Sequence, residues 1–227
     1  MKTEIKGFLE TSFVDWPGKV CSVLFVPHCN FRCPYCHNHP LIFHPEQLAS
    51  VPIEEILNYL RSHEDWIDGV CVTGGEPTQH LELPLLIQRI KDEGFLIKLD
   101  TNGSGPEMLW NLIKANQIDF VSMDVKAPLD PFSYRRSAGL AVNLDLILRS
   151  IEILKRGEVE YQFRTTVVPG LHNEADIRRL GGQLKSGQRL VLQSFNPEDP
   201  LDPMLKKTLP YPPQVLKEME REIQSMM

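Results

Sequence analysis

Three cysteines stand close together in a chain that has only five: Cys29, Cys33 and Cys36, spaced C-x3-C-x2-C. Thiolates at such spacing are metal ligands, and the metal decides the chemistry. Iron–sulfur clusters are usually held by four thiolates. Three thiolates can bind three irons of a cubane and leave the fourth iron open to an outside ligand, which turns an electron carrier into a catalyst. The same spacing suits a structural zinc ion, with His28, His37 or His39 as its fourth ligand. Pro34 stiffens the loop, and Asn30 and Asn38 favour turns. Cys21 and Cys71 lie inside apolar runs, where cysteine packs as a small hydrophobe. An odd cysteine count fits metal ligation in a reducing compartment better than a disulfide framework.

The thiol loop follows an apolar, β-rich run at 20–27, and five more such runs occupy 69–73, 95–100, 120–124, 160–168 and 190–195. Between them, helical spacing of apolar residues predicts helices over 53–61, 81–93, 107–115, 143–155 and 174–184. Such alternation implies parallel strands joined by crossover helices. Six units are too few for an eight-fold barrel, and they fit a partial barrel or a doubly wound sheet. The polar motifs separate these options. After the second run comes Thr73-Gly74-Gly75-Glu76-Pro77, and the third ends Asp100-Thr101-Asn102-Gly103. The fourth ends Met123-Asp124-Val125-Lys126, and Val168-Pro169-Gly170 closes the fifth. Parallel strands put all these ends on one face, where barrels build active sites. A structural zinc site leaves the motifs on the other strand ends unexplained.

The chain has 227 residues, 42% hydrophobic and 24% charged, which suits a globular protein with a full core. It reads as one domain over 1–227, with a core of about 18–197 and a proline-rich loop and last helix over about 197–227. Its formal charge of −6 argues against a general nucleic-acid binder. No signal peptide and no bilayer-length apolar run is legible, so the expected compartment is the cytoplasm, without nucleic-acid or membrane partners.

Taken together, the cysteine loop with Tyr35 before its last thiol and the Gly74-Gly75-Glu76-Pro77 segment resemble the radical S-adenosylmethionine superfamily. Asp15-Trp16-Pro17-Gly18-Lys19, Cys33-Pro34-Tyr35-Cys36-His37-Asn38, Thr101-Asn102-Gly103, Met123-Asp124-Val125-Lys126 and Val168-Pro169-Gly170 are similar to glycyl-radical-enzyme activating proteins, most of all those of anaerobic ribonucleoside-triphosphate reductase. The resemblance implies a partial (β/α)6 barrel with the active site at the C-terminal strand ends. It implies a [4Fe–4S] cluster on Cys29, Cys33 and Cys36, with S-adenosylmethionine on the open iron. One electron then cleaves the sulfonium, and the 5′-deoxyadenosyl radical takes hydrogen from a glycine of a partner glycyl radical enzyme. Flavodoxin or ferredoxin is the implied electron donor.

The resemblance also assigns residues. Gly74, Gly75 and Glu76 would meet the methionine amino group, and Lys126 its carboxylate. Tyr35 and His37 would touch adenine, and a residue after the fifth strand, His172 or Arg178, would reach the cofactor. Asp124 joins Asp100, Thr101 and Met123 as a possible monovalent-cation site. Arg164 would reach cofactor or substrate, and Asp15–Lys19 would line the approach of the partner's glycine loop. His28 stands where a glycine is expected before the first cysteine. Two other functions compete: a radical enzyme acting on a small molecule, such as 7-carboxy-7-deazaguanine synthase, and a zinc-stabilised binding module.

Overall fold

A computed structural model describes residues 4–184 and 190–226. Seven strands form one sheet: β1 (Gly7–Ser12), β2 (Cys21–Val26), β3 (Gly69–Gly74), β4 (Leu96–Thr101), β5 (Phe120–Asp124), β6 (Glu160–Val167) and β7 (Leu190–Ser194). Their order in the sheet is their order in the chain. β2 to β7 run parallel, as the alternation predicts. β1 is an addition that pairs antiparallel with β2 at one edge. Among the described residues no ladder joins β1 to β7, so the barrel is partial and open.

The helices are α1 (His39–Phe43), α2 (Ile53–Arg61), α3 (Leu83–Lys91), α4 (Pro106–Lys114), α5 (Pro131–Ala138), α6 (Leu144–Lys155), α7 (Glu174–Leu184) and α8 (Pro213–Met226). Local chemistry sets their starts. Pro106 and Pro131 fill first-turn positions whose N–H groups lack helical partners. The Asp130 side chain accepts from Phe132 and Ser133 N–H, and Asn143 caps α6 through Asp145 N–H. In α2, Ile56, Leu57 and Leu60 are buried while Glu54 and Glu55 stand in the first turn.

Register decides which side chains meet. Leu24, Val72, Leu99, Val121 and Phe163 face the helices and join the main core. The next residues along each strand face the barrel interior. There Val23 meets Cys71, Cys71 meets Lys98, Asp100 meets Ser122, and Asp124 meets Arg164. Trp16 packs with Cys21, Val23 and Cys71 at the N-terminal end of these strands. Both cysteines are fully buried, as packing residues should be.

The Asp15–Lys19 stretch thus departs from expectation. It links β1 to the start of β2, and Lys19 pairs with Asp68 just before β3 at 3.6 Å. That is the end of the barrel opposite the polar strand ends, so the stretch plugs the floor and does not border the candidate site.

Candidate active site

A cavity of about 230 Å³ opens at the C-terminal strand ends. Its walls come from the thiol loop and from the ends of β3, β4, β5, β6 and β7, represented by Thr73, Asp100, Asp124, Arg164 and Gln193. All three loop cysteines line it, with Cys33 buried and Cys29 and Cys36 half-buried. Phe31 N–H donates to Cys29 Sγ at 3.3 Å, and the Asn102 side-chain amide donates to the same sulfur at 3.8 Å. Burial pushes the Cys29 and Cys33 thiols up to about 11, so at neutral pH they ionise only when a metal displaces their protons. Among the described residues, no three His, Cys, Asp or Glu side chains converge on one metal-ion position. A tetrahedral zinc needs its ligands around a single point about 2.0–2.3 Å away. Three thiols spaced around a volume fit a cubane instead.

Gly74 and Gly75 are glycines because the end of β2 and the segment that opens the thiol loop press against them. A Cβ on Gly75 would stand 1.8 Å from His28 O, and one on Gly74, at φ +116°, would stand 2.5 Å from Val26 O. Their missing side chains let β3 lie against the loop. Gly75 N–H donates to Val26 O at 2.8 Å, and Glu76 N–H to His28 O at 2.7 Å. His28 sits at φ 63°, the left-handed conformation that the expected glycine would adopt easily.

Glu76 is buried and heavily engaged. One carboxylate oxygen accepts from Thr78 N–H (3.1 Å), Thr78 Oγ1 (2.5 Å) and Thr101 Oγ1 (2.7 Å), and the other from Asn102 N–H (2.6 Å). Burial raises its pKa against the pull of these donors. Its carboxylate clasps β3 to the end of β4, and Oε2 keeps a second lone pair beside the Asn102 bond.

The interior carboxylates of the expected cation site are paired with protein cations in this structure. Asp100 pairs with Lys98 and, at 3.0 Å, with Arg164. Asp124 takes Arg164 Nε at 2.8 Å and Lys126 Nζ at 3.0 Å. Thr101 donates to Glu76, and Met123 packs its side chain over Gly103. Three protein cations already neutralise two carboxylates, so a monovalent ion at Asp100, Thr101, Met123 and Asp124 would meet excess positive charge. Burial disfavours charge on Asp124, yet Arg164 and Lys126 hold its carboxyl well below the usual range. Burial likewise works against the Lys126 ammonium, and Asp124 overrides it. Lys126 and Arg164 both line the cavity, which makes that wall an anion-accepting one.

Two expected cofactor contacts are placed differently. His172 is buried outside the cavity lining. Its Nδ1 accepts from Val168 N–H at 3.0 Å, which puts the proton on Nε2, 2.9 Å from both Lys126 O and Ser137 Oγ. Burial lowers its pKa to about 4, so it is a neutral pin beneath Lys126. Arg178 is exposed and pairs with Glu222 and Glu174. His37 is also exposed, outside the lining, and bonds Asn196 O at 2.9 Å. It belongs to a strap from the C-terminal loop, where Leu201 N–H reaches Cys36 O at 3.0 Å and Asp202 N–H reaches Pro34 O at 2.8 Å.

Tyr35 does line the cavity, and its buried hydroxyl has no hydrogen-bond partner. An orphaned buried hydroxyl at a cavity wall is a place for a polar ligand atom. Asn38, read from sequence as a turn former alone, and Asn102, quoted only within a motif, also line the cavity. Asn38 donates to Gly74 O at 2.9 Å and locks the thiol loop to β3.

An open parallel barrel with three thiols, a half-buried lysine and a tyrosine with an unpartnered hydroxyl at its strand ends has the make of a cluster-dependent enzyme. Residues 23–205 match the Radical SAM superfamily model, and the chain belongs to that superfamily. It is a radical S-adenosylmethionine enzyme, and its cofactors are a [4Fe–4S] cluster and S-adenosylmethionine. Among its relatives, a Methanocaldococcus jannaschii protein bearing the provisional name glycyl-radical enzyme activating enzyme is 37% identical over 218 residues, 93% of this chain and 88% of its own. A 7-carboxy-7-deazaguanine synthase of Aquifex aeolicus is 32% identical over 80 residues, covering 34% of this chain and 33% of its own. A solved structure of TYW1 with a lysine-pyruvate adduct superposes with a TM-score of 0.60 at 18% identity, covering 90% of this chain and 73% of that one. No described helix is long and apolar enough to cross a membrane.

Proposed function

We propose that the protein activates a glycyl radical enzyme, and that its partner is anaerobic ribonucleoside-triphosphate reductase. The observation that carries the activase reading is the near full-length relative that bears an activating-enzyme name. The deazaguanine synthase match spans only a third of either chain.

The residues divide the work as follows. Cys29, Cys33 and Cys36 would hold the cluster through three thiolates. When bound, the cluster and S-adenosylmethionine supply the one-electron sulfonium cleavage that yields a hydrogen-abstracting 5′-deoxyadenosyl radical. Lys126, held charged by Asp124, receives the methionine carboxylate, and Arg164 adds positive charge to the same wall. Gly74 to Glu76 form the wall for the methionine amino group, with the second lone pair of Glu76 Oε2, beside the Asn102 bond, as its acceptor. The Tyr35 side chain lies on the wall for the remainder of the cofactor. His37 acts through the strap and His172 through the backbone of Lys126, so both are positioning residues. A reduced flavodoxin or ferredoxin supplies the electron.

The test mixes oxygen-free protein, reductant, S-adenosylmethionine and candidate reductase. A glycyl-radical doublet in the electron paramagnetic resonance spectrum of the reductase is expected, and its loss in each of Cys29→Ala, Cys33→Ala and Cys36→Ala. Cofactor cleavage without a doublet, together with turnover of a small-molecule substrate, would replace the activase reading with the rival one.

A further inference from the structure

Asn102 touches the thiol loop through its side chain and the clasp behind the cofactor wall through its backbone. It is 5% exposed and follows the last residue of β4. Its backbone N–H is bound to Glu76 Oε2. Its side-chain Oδ1 accepts from Ser104 N–H at 2.9 Å. That bond fixes the amide orientation, so the Nδ2 end must face the loop. There it donates to Asn30 Oδ1 at 3.0 Å and to Cys29 Sγ at 3.8 Å. Asn30 in turn donates to Ser104 Oγ at 2.8 Å. Asn30, Asn102 and Ser104 therefore close a ring of directed hydrogen bonds, and the Cys29 sulfur sits at its open corner. Phe31 N–H supplies a second donor to the same sulfur.

We propose that Asn102 is a positioning residue for the cluster: it holds the Cys29 corner in place and stabilises the reduced cluster through its amide N–H. The physical ground is simple. An N–H aimed at a thiolate stabilises negative charge there, and reduction adds negative charge to the cluster and its sulfurs. The donor therefore favours the reduced form over the oxidised one. The fit of the thiols to a cubane underlies this inference, and the identity of the partner enzyme does not enter it.

The test is a redox titration of the reconstituted cluster, followed by electron paramagnetic resonance without S-adenosylmethionine or partner. At the potential where the wild-type cluster is half reduced, Asn102→Ala should lower the reduced-to-oxidised ratio about fivefold, the effect of one net hydrogen bond. Asn102→Asp keeps the shape and the Ser104 bond but turns an oxygen toward the sulfur. It should lower the ratio further. Loss of iron to a chelator should also be faster in both variants than in wild type. Should Asn102→Ala fail to take up a cluster, Asn102→Asp and Asn30→Ala carry the comparison. Asn30→Ala removes the loop anchor and leaves the amide on Cys29. It should speed iron loss with little change in the ratio. A ratio within twofold of wild type in Asn102→Asp would overturn the proposal, as would an equal fall in Asn30→Ala and Asn102→Asp. Glycyl-radical formation is read separately, so either reading can fail without the other.

Discussion

Gly75→Ala should unfold the protein early and loosen the thiol loop. The added Cβ would lie 1.8 Å from His28 O, 2.5 Å from His28 C and 3.0 Å from Pro27 O. All three are backbone atoms, so no flexible side chain can swing aside. The loop must retreat by about 1.6 Å to reach ordinary contact at 3.4 Å. That movement stretches the bonds from Gly75 N–H to Val26 O and from Glu76 N–H to His28 O. Overpacking costs about 1–3 kcal/mol and each lost hydrogen bond about 1 kcal/mol, so the sum is about 3–5 kcal/mol. For a chain of this size that lowers the unfolding midpoint by roughly 6–20 °C. The control is Gly182→Ala, in α7, where a Cβ meets nothing within 4 Å. It should raise stability by about 0.5–1 kcal/mol, because alanine is the better helix former. Anaerobic thermal and urea unfolding of the cluster-free proteins measures both. If Gly75→Ala melted within 2 °C of wild type, the close packing of β3 on the thiol loop would be refuted.

Two further outcomes are expected. His28→Gly should stabilise the protein by about 0.5–1 kcal/mol, since glycine relieves the left-handed backbone at φ 63°. A lower midpoint in urea would contradict that. His172 gives a pH dependence: its folded pKa is lowered to about 4, while the unfolded chain titrates near 6.5. Below about pH 6.5 the unfolded chain gains a proton that the folded one refuses. Stability should therefore fall with pH through that window, by about 2 kcal/mol at pH 5 from this group. Urea midpoints at pH 7 and pH 5 should converge more in His172→Gln than in wild type.

Much of the scaffold was legible because its signals are local. The six apolar runs and five helical patterns emerge as β2 to β7 and as α2, α3, α4, α6 and α7. β1 escaped notice because Gly-Phe-Leu-Glu-Thr-Ser shows no clean alternation, and its inward Leu9 is 45% exposed at the open edge. α5 carries a readable start, Asp130 followed by Pro131, but buries only Tyr134, Ser137 and Ala138, too few for a periodic stripe. In the site, the three thiols were legible because they share one loop. The lattice of Lys98, Asp100, Arg164, Asp124 and Lys126 was not, because it depends on strand register that joins residues far apart in the chain, as Arg164 to both Asp124 and Asp100. In that lattice Asp100 and Asp124, expected to face a cation, pair with Lys98, Arg164 and Lys126. The bonding of His172 was hidden for a related reason. A histidine after a strand reads as a ligand contact, and only its three buried bonding partners show that it props up the backbone.

The strap that pins the thiol loop has a consequence for how the molecule is made. His37 and its partner Asn196 are 159 residues apart, and Leu201 and Asp202 lie further along still. A chain leaving the ribosome therefore carries all three thiols long before the segment that closes over them exists. During that interval the Pro34 and Cys36 carbonyls lack their strap partners. Once the strap docks, its grip on the Pro34 and Cys36 carbonyls favours whatever loop shape has already been set.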